Sequence, residues 1–112
     1  MEARAILRYH RGSVRKARLI LDLIRGVAVP EAQKILMFST KRVAAPIGKL
    51  LDSAVANAQQ KDNRVDVSQL VVADAFGDDG PIMKRFQARA QGRAFVIRRR
   101  TCHVTLVLRE KE

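Results

Sequence analysis

The sequence is poor in cysteine and in aromatic residues. Its 112 residues include one cysteine, Cys102, and no tryptophan. An internal disulfide is therefore impossible, which fits a reducing cytosol. Because aromatic residues make up only 4% of the chain, we expect no multi-base stacking platform like that of single-strand-binding proteins.

Long apolar runs are also missing. No stretch approaches the roughly 20 apolar residues of a membrane span. Charged side chains recur every few residues from Glu2 to Lys16, so the N-terminus lacks the apolar core of a signal peptide. We therefore expect a mature, cytosolic protein with no membrane partner.

Acidic residues are too few to balance the basic ones. The chain has 22 Lys and Arg against 11 Asp and Glu, a formal net charge of +11. Such an excess opposes compactness unless a polyanion accepts it. Nucleic acid is the commonest partner of this kind, and an anionic membrane surface is second. Hydrophobic residues, at 47%, suffice for one core, so we expect a single domain over residues 1–112.

The excess charge lies in two segments. Residues 1–25 hold seven basic and two acidic side chains, and residues 81–100 hold seven basic and none acidic. Residues 26–80 sum to −1 and residues 101–112 to zero. This distribution predicts a one-sided electrostatic footprint.

The apolar pattern predicts three strands and three helices. Alternation and β-branched residues predict strands over Ala3–Tyr9, Val65–Phe76 and Thr101–Leu108. Helical periodicity predicts helices over Ser13–Arg25, from Pro30 to about Phe38, and up to the Lys61-Asp62-Asn63 cluster.

Particular residues predict where the helices begin and end. Ser13 is expected to cap the first helix and Gly26 to end it. Ser39 or Thr40 is expected to cap the third helix, and Pro46 to delay its start or kink it.

The segment Pro81–Arg100 is far too long for a normal hairpin loop. The simplest geometry of this segment is a projecting β-hairpin. A separate turn is predicted just before it, at Gly77-Asp78-Asp79-Gly80-Pro81. Arms of about ten residues would reach roughly 30 Å. Because an isolated, like-charged ribbon is marginal in water, we expect it to be ordered mainly on its partner. Phe86 and Phe95 either stack on bases or, as we favour, pack across the ribbon.

Catalysis finds little support in the sequence. Cys102 and His103 are adjacent in a predicted strand, so their side chains point to opposite faces and form a poor dyad. We expect a buried Cys102 and an exposed or RNA-facing His103. Asp78-Asp79 suits turn chemistry better than a hydrated cation. No metal-ligand set or phosphate-binding glycine loop appears, so we predict no metal, cofactor, small-molecule substrate or enzymatic activity.

Basic side chains of the two charged segments are the candidate RNA contacts. Arg15, Arg18 and Arg25 share a face of the first helix with Asp22. That face is either solvated or in contact with phosphates. Cations in a first turn oppose the helix dipole, and Arg11 lies nearby, so we favour phosphate contact.

Six stretches of the chain form a recognisable pattern: Ser13–Arg18, Asp22–Gly26, Ser53–Ala58, Gly80–Arg85, Arg89–Ala94 and Thr101–Thr105. Together they resemble the bacterial large-subunit ribosomal protein L-twenty-two family over nearly the whole chain. Val14 departs from a frequent proline, Cys102 from a common serine, and Ala88 and Gln91 from a frequent proline and basic residue.

The resemblance implies an α+β fold, with three helices packed on a small, mainly antiparallel three-stranded sheet and a long protruding β-hairpin at about residues 77–101. It implies a structural constituent of the large ribosomal subunit that binds and organises rRNA during assembly. The hairpin tip would line the nascent-peptide exit tunnel. The implied partners are rRNA, neighbouring large-subunit proteins and the nascent peptide, in the cytoplasmic ribosome.

Carried onto this chain, the resemblance places RNA contacts at Lys84, Arg85, Arg89, Arg93, Arg98, Arg99 and Arg100. The basic first helix and the residues before it add Arg11, Ser13, Arg15, Lys16, Arg18 and Arg25 to the expected contacts. The expected tunnel tip is Arg85, Phe86, Gln87, Ala88, Arg89, Ala90, Gln91, Gly92 and Arg93. An architectural DNA- or RNA-binding module outside the ribosome is the alternative, but no recognition helix or dimer seam is evident. An RNA-modifying enzyme would need a convergent acid–base set.

Overall fold

Apolar residues at alternating and helical spacings build two layers, a sheet and the helices that cover it. The computed structural model describes residues 1–88 and 94–110. In chain order they form strand β1 (Glu2–Arg11), helices α1 (Val14–Ile24), α2 (Val29–Phe38) and α3 (Ala44–Lys61), a 3₁₀ turn (Val67–Gln69), and strands β2 (Leu70–Asp79), β3 (Met83–Ala88), β4 (Ala94–Arg99) and β5 (Thr101–Glu110).

The main sheet has the strand order β1-β5-β2, and both outer strands run antiparallel to β5. Its central position explains why β5 is buried almost continuously from Thr101 to Leu108, although its sequence alternates. In β1 the alternation survives, because Ala3 and Ala5 face the helices while Arg4 and Ile6 face outward.

The core lies between this sheet and the three helices. Helix α1 packs on β2, α3 packs on β1, and α2 packs mainly against α3. Each helix contributes one apolar face, and the α1 face is Val14, Ala17, Ile20, Leu21 and Ile24. Burying a side chain such as Ile20 or Leu51 stabilises the fold by about 1.5–3 kcal/mol.

Strands β3 and β4 form a second, two-stranded antiparallel sheet, with register from Met83 opposite Arg99 to Ala88 opposite Ala94. The molecule is elongated, with principal extents of 65 × 25 × 16 Å. The predicted α+β fold of three helices, a small antiparallel sheet and a hairpin is confirmed. So are the Ser13 cap, the ends of α2, and the role of Gly26, which follows α1 with a φ of 79°.

The predicted cap of α3 is wrong. The helix begins at Ala44, and Val43, which precedes it, makes no side-chain capping bond. Ser39 instead ends α2, and its hydroxyl accepts the Lys41 N–H at 3.2 Å, forming a turn. Pro46 is the third residue of α3, in its first turn, where its missing N–H leaves no intrahelical bond unmade.

The predicted bounds of β2 are wrong at both ends. At its start, the Asp66 carboxylate accepts bonds from the Ser68 N–H at 3.0 Å and hydroxyl at 2.7 Å. These bonds hold the 3₁₀ turn where a strand was expected, and they lower the pKa of Asp66.

At the other end, Gly77–Asp79 continue the strand instead of forming a turn. They pair with Val104, His103 and Cys102 of β5, respectively. The ladder offered by the central strand therefore overrides the local turn preference of the Gly-Asp-Asp sequence.

Candidate nucleic-acid interface

The hairpin base is tied to the main sheet by hydrogen bonds. The Gly80 N–H donates to the Thr101 carbonyl at 2.9 Å, and the Thr101 hydroxyl donates to the Pro81 carbonyl at 2.5 Å. A Cβ on Gly80 would lie 2.6 Å from the Thr101 Oγ1. Only glycine therefore allows the two strands leaving the sheet to approach this closely.

The two basic segments of the sequence meet at this base. The Gly12 N–H donates to the Arg100 carbonyl at 3.0 Å, and Arg11 pairs with Thr101 at the end of the β1–β5 ladder. Helix α1 begins immediately afterwards, where the Ser13 hydroxyl accepts the Arg15 N–H at 3.2 Å. Cations about 85 residues apart in sequence thus lie at one end of the sheet.

We call the exposed cations around this junction the basic surface, defined as Arg11, Arg15, Lys16, Arg98, Arg99 and Arg100. Within residues 1–88 and 94–110, none of the six lies within 4.0 Å of a carboxylate oxygen. Their charges are not neutralised within the described fold, so the surface is suited to an external polyanion.

Arg18 and Arg25, two further predicted RNA contacts, form hydrogen bonds within the protein. The Arg18 Nε and Nη2 donate to the Gly77 carbonyl at 3.2 and 3.0 Å. The Arg25 Nε donates to the Ala75 carbonyl at 3.1 Å, with Nη2 bonding the same oxygen, and Nη1 contacts Asp22 at 2.7 Å. Because β2 is an edge strand, these carbonyls are free of ladder bonds, and both arginines fasten α1 to it. Their contact with RNA stays a prediction.

Cys102 and His103 lie on opposite faces of β5, as predicted. Cys102 is fully buried, and burial raises the pKa of its thiol, with the Asp79 carboxylate raising it further. The His103 Nδ1 accepts the Tyr9 N–H at 3.0 Å, and its ring meets the Tyr9 ring edge-on at 4.9 Å. The thiol is thus protonated and inaccessible, while the imidazole orders a bulge in β1 beside the hairpin base.

The hairpin residues predicted as contacts are described only in part. Lys84 is exposed and lies opposite Arg98 in the ladder, which places two cations side by side across the ribbon. Arg85, Phe86, Gln87 and Ala88 lie in β3, and the register pairs Phe86 with Val96, not with Phe95. Of the predicted tip, Arg89, Ala90, Gln91, Gly92 and Arg93 lie outside the described residues.

Metal and membrane chemistry find no support in the described residues. They contain no group of three or more His, Cys, Asp or Glu side chains placed to hold a metal ion. None of the helices described is both long and apolar enough to cross a membrane.

The net charge counted over residues 26–80 did not reveal one group of cations in the structure. Lys34, Lys41, Arg42 and Lys49 are all exposed, around the end of α2 and the start of α3. The signal was present in the sequence, because residues 32–51 contain these four basic side chains and no acidic one. Counting charge over residues 26–80 concealed it.

The fold and the site define a class: a small, basic α+β protein whose helix-covered sheet carries a cationic β-hairpin. The family model described as "Ribosomal protein L22p/L17e" matches residues 5–109. The chain is 52% identical over 111 residues to the large ribosomal subunit protein uL22 of Clostridium novyi, covering 99% of each chain. It is also 52% identical over 112 residues to the uL22 of a Thermoanaerobacter species, covering 100% of both.

A third relative, the uL22 of Bdellovibrio bacteriovorus, is 50% identical over 111 residues, which are 99% of this chain and 100% of that protein. The chain belongs to the ribosomal protein L22p/L17e family. The resemblance found in the sequence is therefore confirmed. Each of these relatives is named as a protein of the large ribosomal subunit, and none as an enzyme.

Proposed function

We propose that this chain is a structural, non-enzymatic constituent of the large ribosomal subunit that binds and organises rRNA during assembly. In this proposal the protein is one domain over residues 1–112, it resides in the cytoplasmic ribosome, and it contacts neighbouring large-subunit proteins. Its hairpin spans about residues 77–101, and the tip of that hairpin lines the path of the nascent peptide. Family membership supports the assignment to the ribosome.

One observation carries the RNA-binding part of the proposal. The Gly12–Arg100 hydrogen bond joins the two basic segments of the chain, so the basic surface is continuous from the N-terminus of α1 to the hairpin stem. Arginine supplies five of its six cations, and its planar fork of donors matches phosphate oxygens.

Binding is then expected to have two components. Each phosphate neutralised by the basic surface releases condensed counterions, so affinity falls steeply as salt rises. Phosphate contacts alone carry no sequence information. Specificity follows from the shape of the hairpin, since folded RNA is recognised largely by shape and by its unpaired segments.

Competition and sedimentation test the assignment. The purified chain is expected to prefer in vitro transcribed large-subunit rRNA to duplex DNA, and to sediment with large subunits after a moderate salt wash. Equal binding to DNA and rRNA, together with release from subunits, would instead support an architectural module outside the ribosome.

Crosslinking tests the tunnel contact separately. In a Cys102→Ser background, which removes the only cysteine, Gln91→Cys introduces a single thiol into the predicted tip. A stalled nascent chain carrying a thiol-reactive group is expected to crosslink to it. Ser53→Cys, at an exposed position of α3, is the matched control and is expected not to react. Equal labelling of both positions would contradict the tunnel assignment.

A further inference from the structure

The end of α2 presents two large apolar side chains to solvent. Phe38 is 79% exposed and Met37 is 76% exposed, more than any other large hydrophobic side chain described. Leaving a phenylalanine in water forgoes the stabilisation that its burial supplies. Contiguous exposed apolar surface marks interaction sites on soluble proteins, so this adjacent pair is a candidate for one.

Exposed cations precede and follow this pair along the chain. Lys34 lies one helical turn before Phe38, Lys41 and Arg42 follow it in the turn to α3, and Lys49 lies on α3. All four are exposed, and in the described part of the chain none forms an ion pair. The bond from the Lys41 N–H to the Ser39 hydroxyl fixes the turn that carries two of them. The local surface therefore combines an exposed ring with unneutralised positive charge.

The position of Phe38 distinguishes between two kinds of partner. A groove of about 530 Å³ runs between α2 and α3, and Met37, Lys41 and Lys49 line it together with Asp52. Phe38 is not part of that lining. An acidic peptide would be expected to insert its side chains into the groove and would meet Asp52. The Phe38 ring stands outside the groove, with Lys34 one helical turn before it and Lys41 and Arg42 in the turn after it. This arrangement suits a flat aromatic partner carrying negative charge.

We propose that Phe38, with Lys34, Lys41, Arg42 and Lys49, is a second RNA contact, in which one unpaired base stacks on the Phe38 ring and the cations bind the flanking phosphates. Stacking on aromatic side chains is how proteins hold unpaired bases, and cations beside the ring hold the backbone. This inference rests on the proposed function, because the RNA is the same. It differs in place, since this contact lies on the helical layer and not at the hairpin base.

The absence of tryptophan from the chain allows a direct test. Phe38→Trp introduces the only indole, and stacking on a base is expected to quench its fluorescence when in vitro transcribed large-subunit rRNA is added. Phe76→Trp, on the open face of the sheet where Phe76 is 39% exposed, is the matched control and is expected to change little. Equal quenching at both positions, or none at Phe38, would overturn the inference.

Affinity provides a second measurement on the same RNA. Phe38→Leu keeps an apolar side chain but removes the ring, and it is expected to weaken binding roughly tenfold, while Phe38→Tyr binds like the wild type. Phe76→Leu is the control and is expected to have no such effect. Lys41→Gln with Arg42→Gln is expected to reduce the salt slope by about 1–2.

The outcomes separate this inference from the proposed function. If the wild type itself fails to prefer rRNA, the proposed function fails. If the wild type binds but Phe38→Leu binds equally well, only the second contact is rejected. If Phe38→Leu binds naked rRNA normally and is lost only from subunits assembled with other proteins, the patch contacts a protein, which also rejects the inference.

Discussion

Arg18 in helix α1 and Arg25 at its C-terminus differ from the arginines of the hairpin base in what satisfies their guanidinium groups. Arg18 and Arg25 donate to main-chain carbonyls of β2, and Arg25 also pairs with Asp22. Arg98, Arg99 and Arg100 are exposed and lie near no described carboxylate. Arginine side chains of the same protein thus either bond to the fold itself or remain exposed to solvent.

The difference teaches that charge counts do not locate a binding surface by themselves. A cation next to an edge strand can donate its hydrogen bonds to carbonyl oxygens that the sheet leaves unpaired, because buried or partly buried acceptors require donors. The cations at the projecting base have no such partner within residues 1–88 and 94–110. The first kind is expected to contribute mainly to stability, and the second mainly to binding.

The largest expected effect on stability comes from Gly80→Ala at the hairpin base. The new Cβ would lie 2.6 Å from the Thr101 Oγ1, whose hydroxyl is already bonded to Pro81. We expect a loss of about 1–3 kcal/mol from overpacking, measured by denaturant unfolding.

Gly48→Ala is the matched control for that substitution. Gly48 lies within α3, where a Cβ would meet only the Leu36 Cβ at 3.9 Å. Because alanine favours helix, this change is expected to stabilise the protein by about 0.5–1 kcal/mol. If both substitutions shifted stability in the same direction, the tight approach at the hairpin base would be refuted.

The next largest effect is expected from Arg18→Met with Arg25→Met. These changes keep the apolar stems but remove the bonds to Gly77 and Ala75. Because the groups are partly exposed, we expect a loss of about 1–2 kcal/mol for the pair. Thermal unfolding measures it, and Arg15→Met, at an exposed position of the same helix, is the control. An unchanged melting temperature in the double variant would mean that these arginines do not hold α1 to β2.

The smallest effect concerns Cys102. Because its thiol pKa is raised above the ordinary value of 9.0, the folded state favours the protonated thiol. This contribution to stability is present below the unfolded-state pKa and is lost as pH rises through the folded-state pKa. The free energy of unfolding should therefore fall slightly more between pH 8 and 10 in the wild type than in Cys102→Ala. Parallel pH profiles would contradict the assigned burial effect.

Most of the fold could be predicted because local periodicity and tertiary burial agree. The buried face of α1 follows from the spacing of Val14, Ala17, Leu21 and Ile24. The extension of β2 through Gly77–Asp79 could not be predicted, because it depends on pairing with a strand that follows some 25 residues later. Local turn preference pointed the other way.

The site was predictable in part for similar reasons. The cationic segments are evident from composition, but their junction depends on the long-range Gly12–Arg100 bond. The internal use of Arg18 and Arg25 depends on which strand forms the sheet edge, which no local pattern specifies. Phe38 reads as an ordinary apolar helix residue until its exposure is known.

The salt dependence of rRNA affinity tests the division between the two groups of arginines most directly. Arg98→Gln, Arg99→Gln and Arg100→Gln together are expected to make the slope of log affinity against log salt shallower by about 2–3, as expected from three lost phosphate contacts. Arg18→Met with Arg25→Met should change that slope by less than about 1. A triple variant with an unchanged slope, or a helix pair that changes it as much, would contradict this account.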